Sequence, residues 1–318
     1  MLQESSAAAP SSEFNHAIWL PLVLGLLAFY SVTVFCVATY FLCFFRSFGE
    51  EQPLRGRQPI VPKQSASLET VQVTRDRSWW DHKGPTPEYS PQIKLDFLKK
   101  VYGLLSTQIA LCLATCALFV FASFQNADPH KLTSFGEGFI ARWWLVYVLL
   151  IPTFITLFVA IMQKNTYPLN MTMLFSFTLC ESVTVAFIVV LYWGAGMGDI
   201  VFVAVGITLF IFCVLTIYTL VSKADFSFCA PFLFVSLAVL IVWGVVLRIC
   251  FIFGGYNADA YMWYSLVGAL LFSAFIIFDT WKIANILGPD DYIIACIELY
   301  LDIINLFLYI LSILGNRR

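Results

Sequence analysis

The chain has 318 residues, of which 60% are hydrophobic and 12% are charged, and its formal net charge is -2. A soluble domain carries about 25% charged residues, so half that share, together with repeated apolar runs of about 20 residues, excludes an ordinary soluble domain and favours membrane-spanning helices. A basic patch with interleaved aromatic residues is not found in the sequence, which argues against a nucleic-acid partner.

The amino-terminal part of the chain divides into three segments. Residues 1–16 form a polar tail, and an apolar run follows at 17–45. That run is far longer than the signal-peptide core of about 7–15 residues and lacks a basic leader, so it predicts a transmembrane helix in the lipid bilayer. Residues 46–96 are hydrophilic and rich in proline, which predicts a linker with too little apolar content to fold alone.

Further apolar runs follow the linker, separated by short breaks that contain Gly, Pro, Asn, Asp or Lys. They lie at roughly 97–124, 143–163, 168–193, 199–221, 229–254, 261–284 and 292–314, and each is long enough to predict a helix that crosses a bilayer. Residues 97–318 are therefore predicted to form an all-α integral membrane domain of seven helices.

The distribution of basic residues predicts the orientation in the membrane. Lys and Arg are concentrated in the 46–96 linker, so the positive-inside rule places it in the cytosol. The same side then receives the polar breaks at Lys164, Lys223 and Lys282. Arg317–Arg318 fits this scheme poorly, because seven crossings after the linker put the chain end on the other side. Either the last segment re-enters without crossing, or that end is an exception.

Four acidic side chains lie within apolar runs, namely Glu181, Asp279, Glu298 and Asp302. A charged side chain at the bilayer centre costs about 2.5–3.5 kcal/mol on insertion scales, so each acid needs a physical reason. One alternative is structural: each acid bonds a neighbouring helix, or sits in water at the interface. This alternative is strongest for Asp279, which lies near the end of its run, and for Glu298, which lies one turn nearer the loop; it is weakest for Asp302.

Asp302 lies near the middle of the last run, and no basic residue in the last two runs is spaced to neutralise it. Glu298, Asp302 and Asn305 follow an i, i+4, i+7 spacing and share one helical face. A short loop makes the last two helices antiparallel neighbours, so Asp279 and Asp302 are expected to approach each other. Two carboxylates in a low-dielectric site share a proton, and when both are ionised they attract Ca²⁺. The pair is a candidate pH-sensing site that binds Ca²⁺ transiently.

The loop before the last run contains two more acids, Asp290 and Asp291. Solvation or helix capping is the default for acids in such a loop, and the alternative is that they gather cations at a pore mouth. Catalytic triads and nucleotide-binding glycine motifs are absent in any suitable context, so neither an enzyme nor a cofactor is predicted, and Ca²⁺ and H⁺ enter as transported or gating ions. Two acids on neighbouring helices also suggest an intramembrane aspartyl protease, but the Tyr-Asp and Gly-x-Gly-Asp settings of those enzymes are missing.

Several motifs occur in a consistent order from about residue 95 to the chain end. The clearest are Gly288–Tyr292 followed by Leu299–Leu308, Phe278–Thr280 in the preceding run, and Phe97–Tyr102 and Tyr167–Asn170 at the starts of earlier runs. Together they resemble the Bax inhibitor and Lifeguard family, the transmembrane Bax inhibitor motif proteins. The resemblance is nearest to the Lifeguard branch that includes the Golgi anti-apoptotic proteins.

The resemblance implies a seven-helix bundle with a central last helix, to which the 17–45 helix is an addition. It also implies that Asp279 and Asp302 form the pH-sensing dyad of the family, which gates a calcium leak across a Golgi or endoplasmic reticulum membrane. Asp290 matches an acidic loop position tied to conductance. Prokaryotic members bond the dyad with an Arg at the end of the second core helix; that region contains Lys164 here, so the latch is either Lys164 or absent.

The leading hypothesis is a pH-sensitive calcium leak channel or Ca²⁺/H⁺ exchanger that lowers lumenal calcium and restrains apoptosis. Asp279 and Asp302 would carry the ion site, with Glu181, Glu298, Asp290 and Asp291 as auxiliary acids. The alternative is a non-conducting membrane protein that regulates cell-death or stress-signalling partners, including other membrane or anti-apoptotic proteins. Such a protein would depend on the linker or the last residues, and not on the acids.

Overall fold

The computed structural model describes the carboxy-terminal part of the chain. The described ranges are 91–125, 128–142, 144–222, 224–255 and 257–316. The predicted tail at 1–16, the predicted helix at 17–45 and the predicted linker up to residue 90 lie outside them.

The described residues form eight α-helices, a two-stranded hairpin and one 3₁₀ turn. The helices are α1 (Pro91–Ser123), α2 (Ser134–Ala141), α3 (Leu145–Met162), α4 (Leu169–Gly194), α5 (Gly198–Val221), α6 (Cys229–Ile252), α7 (Ala258–Asn285) and α8 (Tyr292–Gly315). The hairpin pairs β1 (Phe124–Gln125) antiparallel with β2 (Asp128–Leu132), and the 3₁₀ turn is Pro289–Asp291. Every apolar run predicted after the linker contains one helix, and the bounds differ most at α1, which begins six residues before the predicted start.

Six of the described helices are long and apolar enough to cross a membrane: α1, α4, α5, α6, α7, and α8 together with the turn before it. The apolar part of α3, Val148–Met162, is shorter. The all-α class is therefore confirmed, and the protein is a multi-pass membrane protein. The predicted count of seven helices plus one is not confirmed, because α3 is below the spanning length and the added helix lies outside the described residues.

The helix ends have local causes. Asn257 caps α7, since its side chain accepts hydrogen bonds from the backbone N–H groups of Asp259 and Ala260 at 3.0 and 3.2 Å, which satisfies two donors that the first helical turn leaves free. Gly254 (φ 82°) ends the turn after α6, and Gly196 (φ 74°) lies between α4 and α5. Both φ angles are in the left-handed region that glycine adopts without a steric penalty.

Helix α8 is the centre of the bundle. In its apolar window 94% of the residues are buried, against 11% in α6. Helix α8 packs mainly against α1, α5 and α7. Lipid tails are as apolar as leucine side chains, so α6 can expose its valine and phenylalanine side chains to the bilayer. Polar side chains on α8, in contrast, are enclosed by protein.

Contacts between helix ends distinguish the two sides of the bundle. The ends of α3 and α7 lie beside the beginnings of α1, α4 and α8, and we call this the linker side because α1 follows the predicted linker. On the far side, the Tyr192 hydroxyl donates to the Leu311 carbonyl oxygen at 3.3 Å, and the Ser265 and Ser312 hydroxyls are 2.7 Å apart. These contacts join the end of α8 to α4 and α7.

The segment between α1 and α3 is more ordered than the sequence suggests, since a polar loop was predicted there. Thr133 caps α2 by accepting a hydrogen bond from Gly136 N at 3.1 Å. The Phe139 ring of α2 then packs 4.9 Å from Phe119 of α1 and 5.3 Å from Phe187 of α4, measured between ring centroids. Such aromatic pairs hold the hairpin and α2 against the far side of the bundle.

Candidate ion and proton site

An ion-pair network joins α7 to α8 near the linker side. The Lys282 Nζ atom lies 3.0 Å from Asp279 Oδ1 and 2.7 Å from Glu298 Oε1. The three side chains are 15%, 5% and 7% exposed, respectively, so the charges are held away from water. Burial of this kind is sustained by mutual pairing and hydrogen bonding.

Asp302 lies one helical turn deeper on α8 than Glu298 and is fully buried, with 0% exposure. Its charged neighbours are Asp279, Glu298 and Lys282. Within the described residues, neither carboxylate oxygen of Asp302 has a hydrogen-bond partner. Because ionised carboxylates only accept hydrogen bonds, Asp302 and Asp279 can bond to each other only when one of them carries a proton.

These four side chains, Asp279, Lys282, Glu298 and Asp302, form what we call the four-charge cluster. With every group ionised, three carboxylates and one ammonium give a net charge of -2. Two bound protons or one divalent cation would each neutralise it. A buried site that alternates between these two occupants avoids the cost of an uncompensated charge in a low-dielectric medium.

Local helix geometry explains how the sequence builds this cluster. Asp279 and Lys282 are at i and i+3 on α7, so they lie side by side. Glu298, Asp302 and Asn305 share one face of α8, as predicted, and that face is turned toward α7. Asn305 is fully buried and donates to the Leu301 carbonyl oxygen at 2.8 Å.

The sequence has no cation spaced to neutralise Asp302, but Asp279 does have a counter-ion in the structure, because Lys282 Nζ lies 3.0 Å from its Oδ1 atom. Lys282 was assigned to a cytosolic break, whereas the structure places it on the last full turn of α7, with its ammonium turned back toward the bundle. The i, i+3 spacing from Asp279 to Lys282 is the sequence signal for this pair.

A row of polar side chains continues from the four-charge cluster along the interface between α7 and α8, which we call the α7–α8 seam, to the far side of the bundle. The Tyr309 hydroxyl donates to the Tyr264 hydroxyl at 3.1 Å, and Ser312 meets Ser265 one turn further on. Sequence reasoning missed these residues, although Tyr309 and Ser312 extend the face of Asn305 by i+4 and i+7.

At the linker-side end of the α7–α8 seam, which we call the mouth, neighbouring helices contact the loop before α8 and the start of α8. Lys164 Nζ, at the end of α3, lies 2.6 Å from Asp291 Oδ1, and these side chains are 33% and 27% exposed. Asn170 Nδ2 donates to the Tyr292 hydroxyl at 2.8 Å, and the Lys100 ammonium lies 3.2 Å from the Tyr292 ring centroid. The beginnings of α1 and α4 and the end of α3 are thus all fastened to the start of α8.

Of the two alternatives for the latch, Lys164 or none, the structure does not place Lys164 on the Asp279–Asp302 pair, because Lys164 pairs with Asp291 instead. The reason is depth. Asp302 lies ten residues into α8, about 15 Å along the axis at 1.5 Å per residue, and a lysine at the mouth does not reach that far. Asp290, in the same loop, is exposed.

Glu181 lies apart from the four-charge cluster. It is 1% exposed on α4, and its ionisable neighbours include Cys180 and Tyr300. Tyr300 and Asp302 are two residues apart on α8, so they point in directions about 160° apart around the helix. The predicted auxiliary acids are therefore divided between two faces of the central helix.

Within the described ranges, no group of three or more His, Cys, Asp or Glu side chains is placed to hold a metal ion. The four-charge cluster consists of three carboxyl groups and one ammonium group that are buried together between α7 and α8. Fold and site together define a multi-pass helical membrane protein with a buried acidic cluster on its central helix.

Comparison with known proteins agrees with this description. A family model for inhibitors of apoptosis-promoting Bax1 matches residues 94–318. Protein lifeguard 4 of Mus musculus is 37% identical over 231 residues, which are 71% of this chain and 87% of that protein. The Golgi anti-apoptotic protein of Vaccinia virus (strain Lister) is 36% identical over 231 residues, which are 71% of this chain and 87% of that protein. Bax inhibitor 1 of Schizosaccharomyces pombe is 34% identical over 232 residues, which are 73% of this chain and 80% of that protein. The chain belongs to the Bax inhibitor and Lifeguard family, as its motifs predicted.

Proposed function

We propose that the protein is a pH-sensitive calcium leak channel or Ca²⁺/H⁺ exchanger of an intracellular membrane. The observation that carries the proposal is the placement of Asp302. Its two carboxylate oxygens are buried without a hydrogen-bond partner in the described part of the chain, next to a second carboxyl group at Asp279. Such a group is stable when it holds a proton or a cation, and unstable when it holds neither.

Protons and calcium compete for the four-charge cluster in this mechanism. At low pH, Asp279 and Asp302 share a proton, and the α7–α8 seam is closed. Deprotonation makes the two carboxylates repel each other, which separates the helices and leaves oxygen ligands for Ca²⁺. Lys282 limits the negative charge to two, so one Ca²⁺ compensates the open state.

The ion would enter and leave along α8. At the linker side, the exposed Asp290 and the Lys164–Asp291 pair stand at the mouth. Toward the far side, the hydroxyl groups along the α7–α8 seam continue the polar row. In this proposal α3 makes the seventh crossing of the core, and the protein acts in transport, without enzymatic chemistry or a resident cofactor.

The names of the relatives supply the cellular context. Two of them are named as a Golgi anti-apoptotic protein and a Bax inhibitor. By analogy, this protein would reside in the Golgi or endoplasmic reticulum membrane, release lumenal calcium and thereby restrain apoptosis.

Calcium uptake by the full-length protein in liposomes tests the proposal. We expect ⁴⁵Ca²⁺ flux to rise with pH in the wild type, and to fall sharply in Asp279→Asn and Asp302→Asn. Asp259→Asn makes the same chemical change at an exposed position at the start of α7 and is expected to keep wild-type flux. Wild-type flux in both buried variants would remove the mechanism.

A non-conducting interaction protein is the second candidate, and the exposure of α6 favours it. Only 11% of the apolar window of α6 is buried, so another membrane helix could pack along it as readily as lipid does. In that case, partner proteins would co-purify equally with the wild type and with both Asp variants, and deletion of the 46–96 linker would release them.

A further inference from the structure

Three buried hydroxyl groups meet where α1, α5 and α7 come together. They belong to Tyr102 of α1, Thr216 of α5 and Thr280 of α7, and the Tyr102 hydroxyl lies within interaction range of both threonine side chains. Thr280 is 0% exposed and Thr216 is 9% exposed. The Tyr102 side chain is partly exposed, but its hydroxyl oxygen is buried. We call these three side chains the three-hydroxyl site.

The two threonines of this site depart from the usual behaviour of threonine in a helix. A threonine hydroxyl inside a helix can donate to the backbone carbonyl oxygen one turn earlier. Thr208 and Thr219, on the same helix as Thr216, do so at 2.7 and 2.8 Å. Thr216 and Thr280 make no such bond. Their hydroxyl groups are therefore not used within their own helices and remain available between the helices.

None of the three hydroxyl oxygens has a hydrogen-bond partner among the residues that the structure describes. Tyr102 thus lies near Thr216 and Thr280 without the geometry of a direct hydrogen bond to either. Where polar groups approach each other without bonding, a bridging water is the ordinary explanation. Buried polar atoms in native proteins almost always have a partner, so three unpaired oxygens from three helices at one place indicate a single shared ligand.

The chemistry of the three-hydroxyl site selects water as that ligand. Each hydroxyl is neutral and can both donate and accept a hydrogen bond. A water molecule donates two hydrogen bonds and accepts two, and a buried water in a protein makes about three, so one water can bond to all three oxygens. A calcium ion would need about six to eight oxygen ligands, most of them charged or carbonyl oxygens, and three neutral hydroxyls do not meet that need.

We propose that the hydroxyl groups of Tyr102, Thr216 and Thr280 bind one buried water molecule, which bridges α1, α5 and α7. Thr280 directly follows Asp279 in the chain, so the water fastens α7 to its neighbours at the level of the four-charge cluster. The site does not require calcium transport, so it stands independently of the function proposed above.

Radiolytic footprinting of the full-length protein in detergent tests this without any substitution, because X-rays turn a bound water into a hydroxyl radical that oxidises the side chains beside it. The protein is mixed rapidly with H₂¹⁸O before exposure, and mass spectrometry then locates the added oxygen. We expect Tyr102 to be oxidised and to acquire ¹⁸O more slowly than Tyr167, which is 78% exposed, because a buried water exchanges more slowly than bulk water. Absence of oxidation at Tyr102, or ¹⁸O uptake there as fast as at Tyr167, would overturn the proposal.

Substitution of a threonine by valine, which keeps the shape and removes the hydroxyl, gives a second test. Thr280→Val is expected to lower the oxidation of Tyr102 by about twofold or more, because it takes away one of the about three hydrogen bonds that hold a buried water, and to lower the thermal midpoint by about 2–4 °C. Thr219→Val is the matched control, since that hydroxyl bonds only within its own helix, and it should leave the oxidation of Tyr102 unchanged. Unchanged oxidation in Thr280→Val, or a midpoint that rises because an unpaired hydroxyl has been removed, contradicts a shared water.

Discussion

Replacing Lys282 with methionine removes the ammonium that bridges Asp279 and Glu298, while keeping a side chain of similar length. The three side chains are 15%, 5% and 7% exposed, so water screens the remaining charges little. Removing one partner of a buried ion pair costs about 3–5 kcal/mol, because the other partner stays buried and uncompensated. We expect Lys282→Met to lower the free energy of unfolding by about this amount, and the thermal midpoint by roughly 10 °C.

The thermal midpoint of the detergent-solubilised protein, followed by size-exclusion chromatography after heating, measures this effect. Lys99→Met is the matched control, since Lys99 and Asp96 form an ion pair whose side chains are both 76% exposed, and such pairs contribute less than about 1 kcal/mol. The double variant Lys282→Met/Glu298→Gln is expected to recover part of the loss, because it removes one of the stranded charges.

Acid should also rescue Lys282→Met, since protonation neutralises the two carboxyl groups that have lost their counter-ion. A Lys282→Met protein with the wild-type midpoint at neutral pH, and with no gain from Glu298→Gln or from acid, would show that the ammonium does not compensate these carboxylates. The assignment of charge in the four-charge cluster would then be wrong.

The remaining predictions concern the mouth and the far half of the α7–α8 seam. Lys164→Ala is expected to raise calcium flux by releasing the loop before α8, with a change in stability below about 1 kcal/mol because the Lys164–Asp291 pair is partly exposed. The swapped pair Lys164→Asp/Asp291→Lys should restore wild-type flux. Unchanged flux in Lys164→Ala would argue against a gate at this mouth. Gly268→Ala is expected to destabilise by about 1–3 kcal/mol, because its new Cβ would lie 2.5–2.7 Å from three atoms of the buried Tyr309 ring. Gly206→Ala, where no atom lies within 4 Å, should be neutral or slightly stabilising in the same thermal assay.

Hydropathy and helical periodicity predicted the part of the fold that depends on the chain alone. The apolar runs after the linker correspond to α1 and to α3–α8, because a helix in lipid must satisfy its own backbone hydrogen bonds and therefore has to be apolar over its whole span. The hairpin and α2 were not predicted. A two-residue strand has no alternation to detect, and Phe135 and Phe139 become informative only once Phe119 and Phe187 are known to lie opposite them.

The face of α8 that carries Glu298 and Asp302 could be predicted from spacing, since the positions on one helix fix it. Which helix meets that face is a property of the fold, and the short loop after α7 was enough to predict it. The direction in which the lysine side chains extend was harder to predict from the sequence. Lys164 and Lys282 both lie at helix ends on the linker side, yet one turns to the loop and the other into the bundle. The local difference is an acid three residues before Lys282, Asp279, which has no counterpart near Lys164.

The charge on the four-charge cluster has a consequence for the transport mode. An exchange of two protons for one Ca²⁺ leaves the cluster neutral in both states and is insensitive to the membrane potential, whereas an exchange of the one proton shared by Asp279 and Asp302 moves one net charge per cycle. A leak that passes Ca²⁺ alone carries two charges, each worth about 2.3 kcal/mol per 100 mV. Such a leak responds strongly to a potassium diffusion potential imposed on the liposomes. Lys282 sets the charge balance of either mode, because without its positive charge the ionised cluster would carry -3 and one Ca²⁺ would no longer balance it.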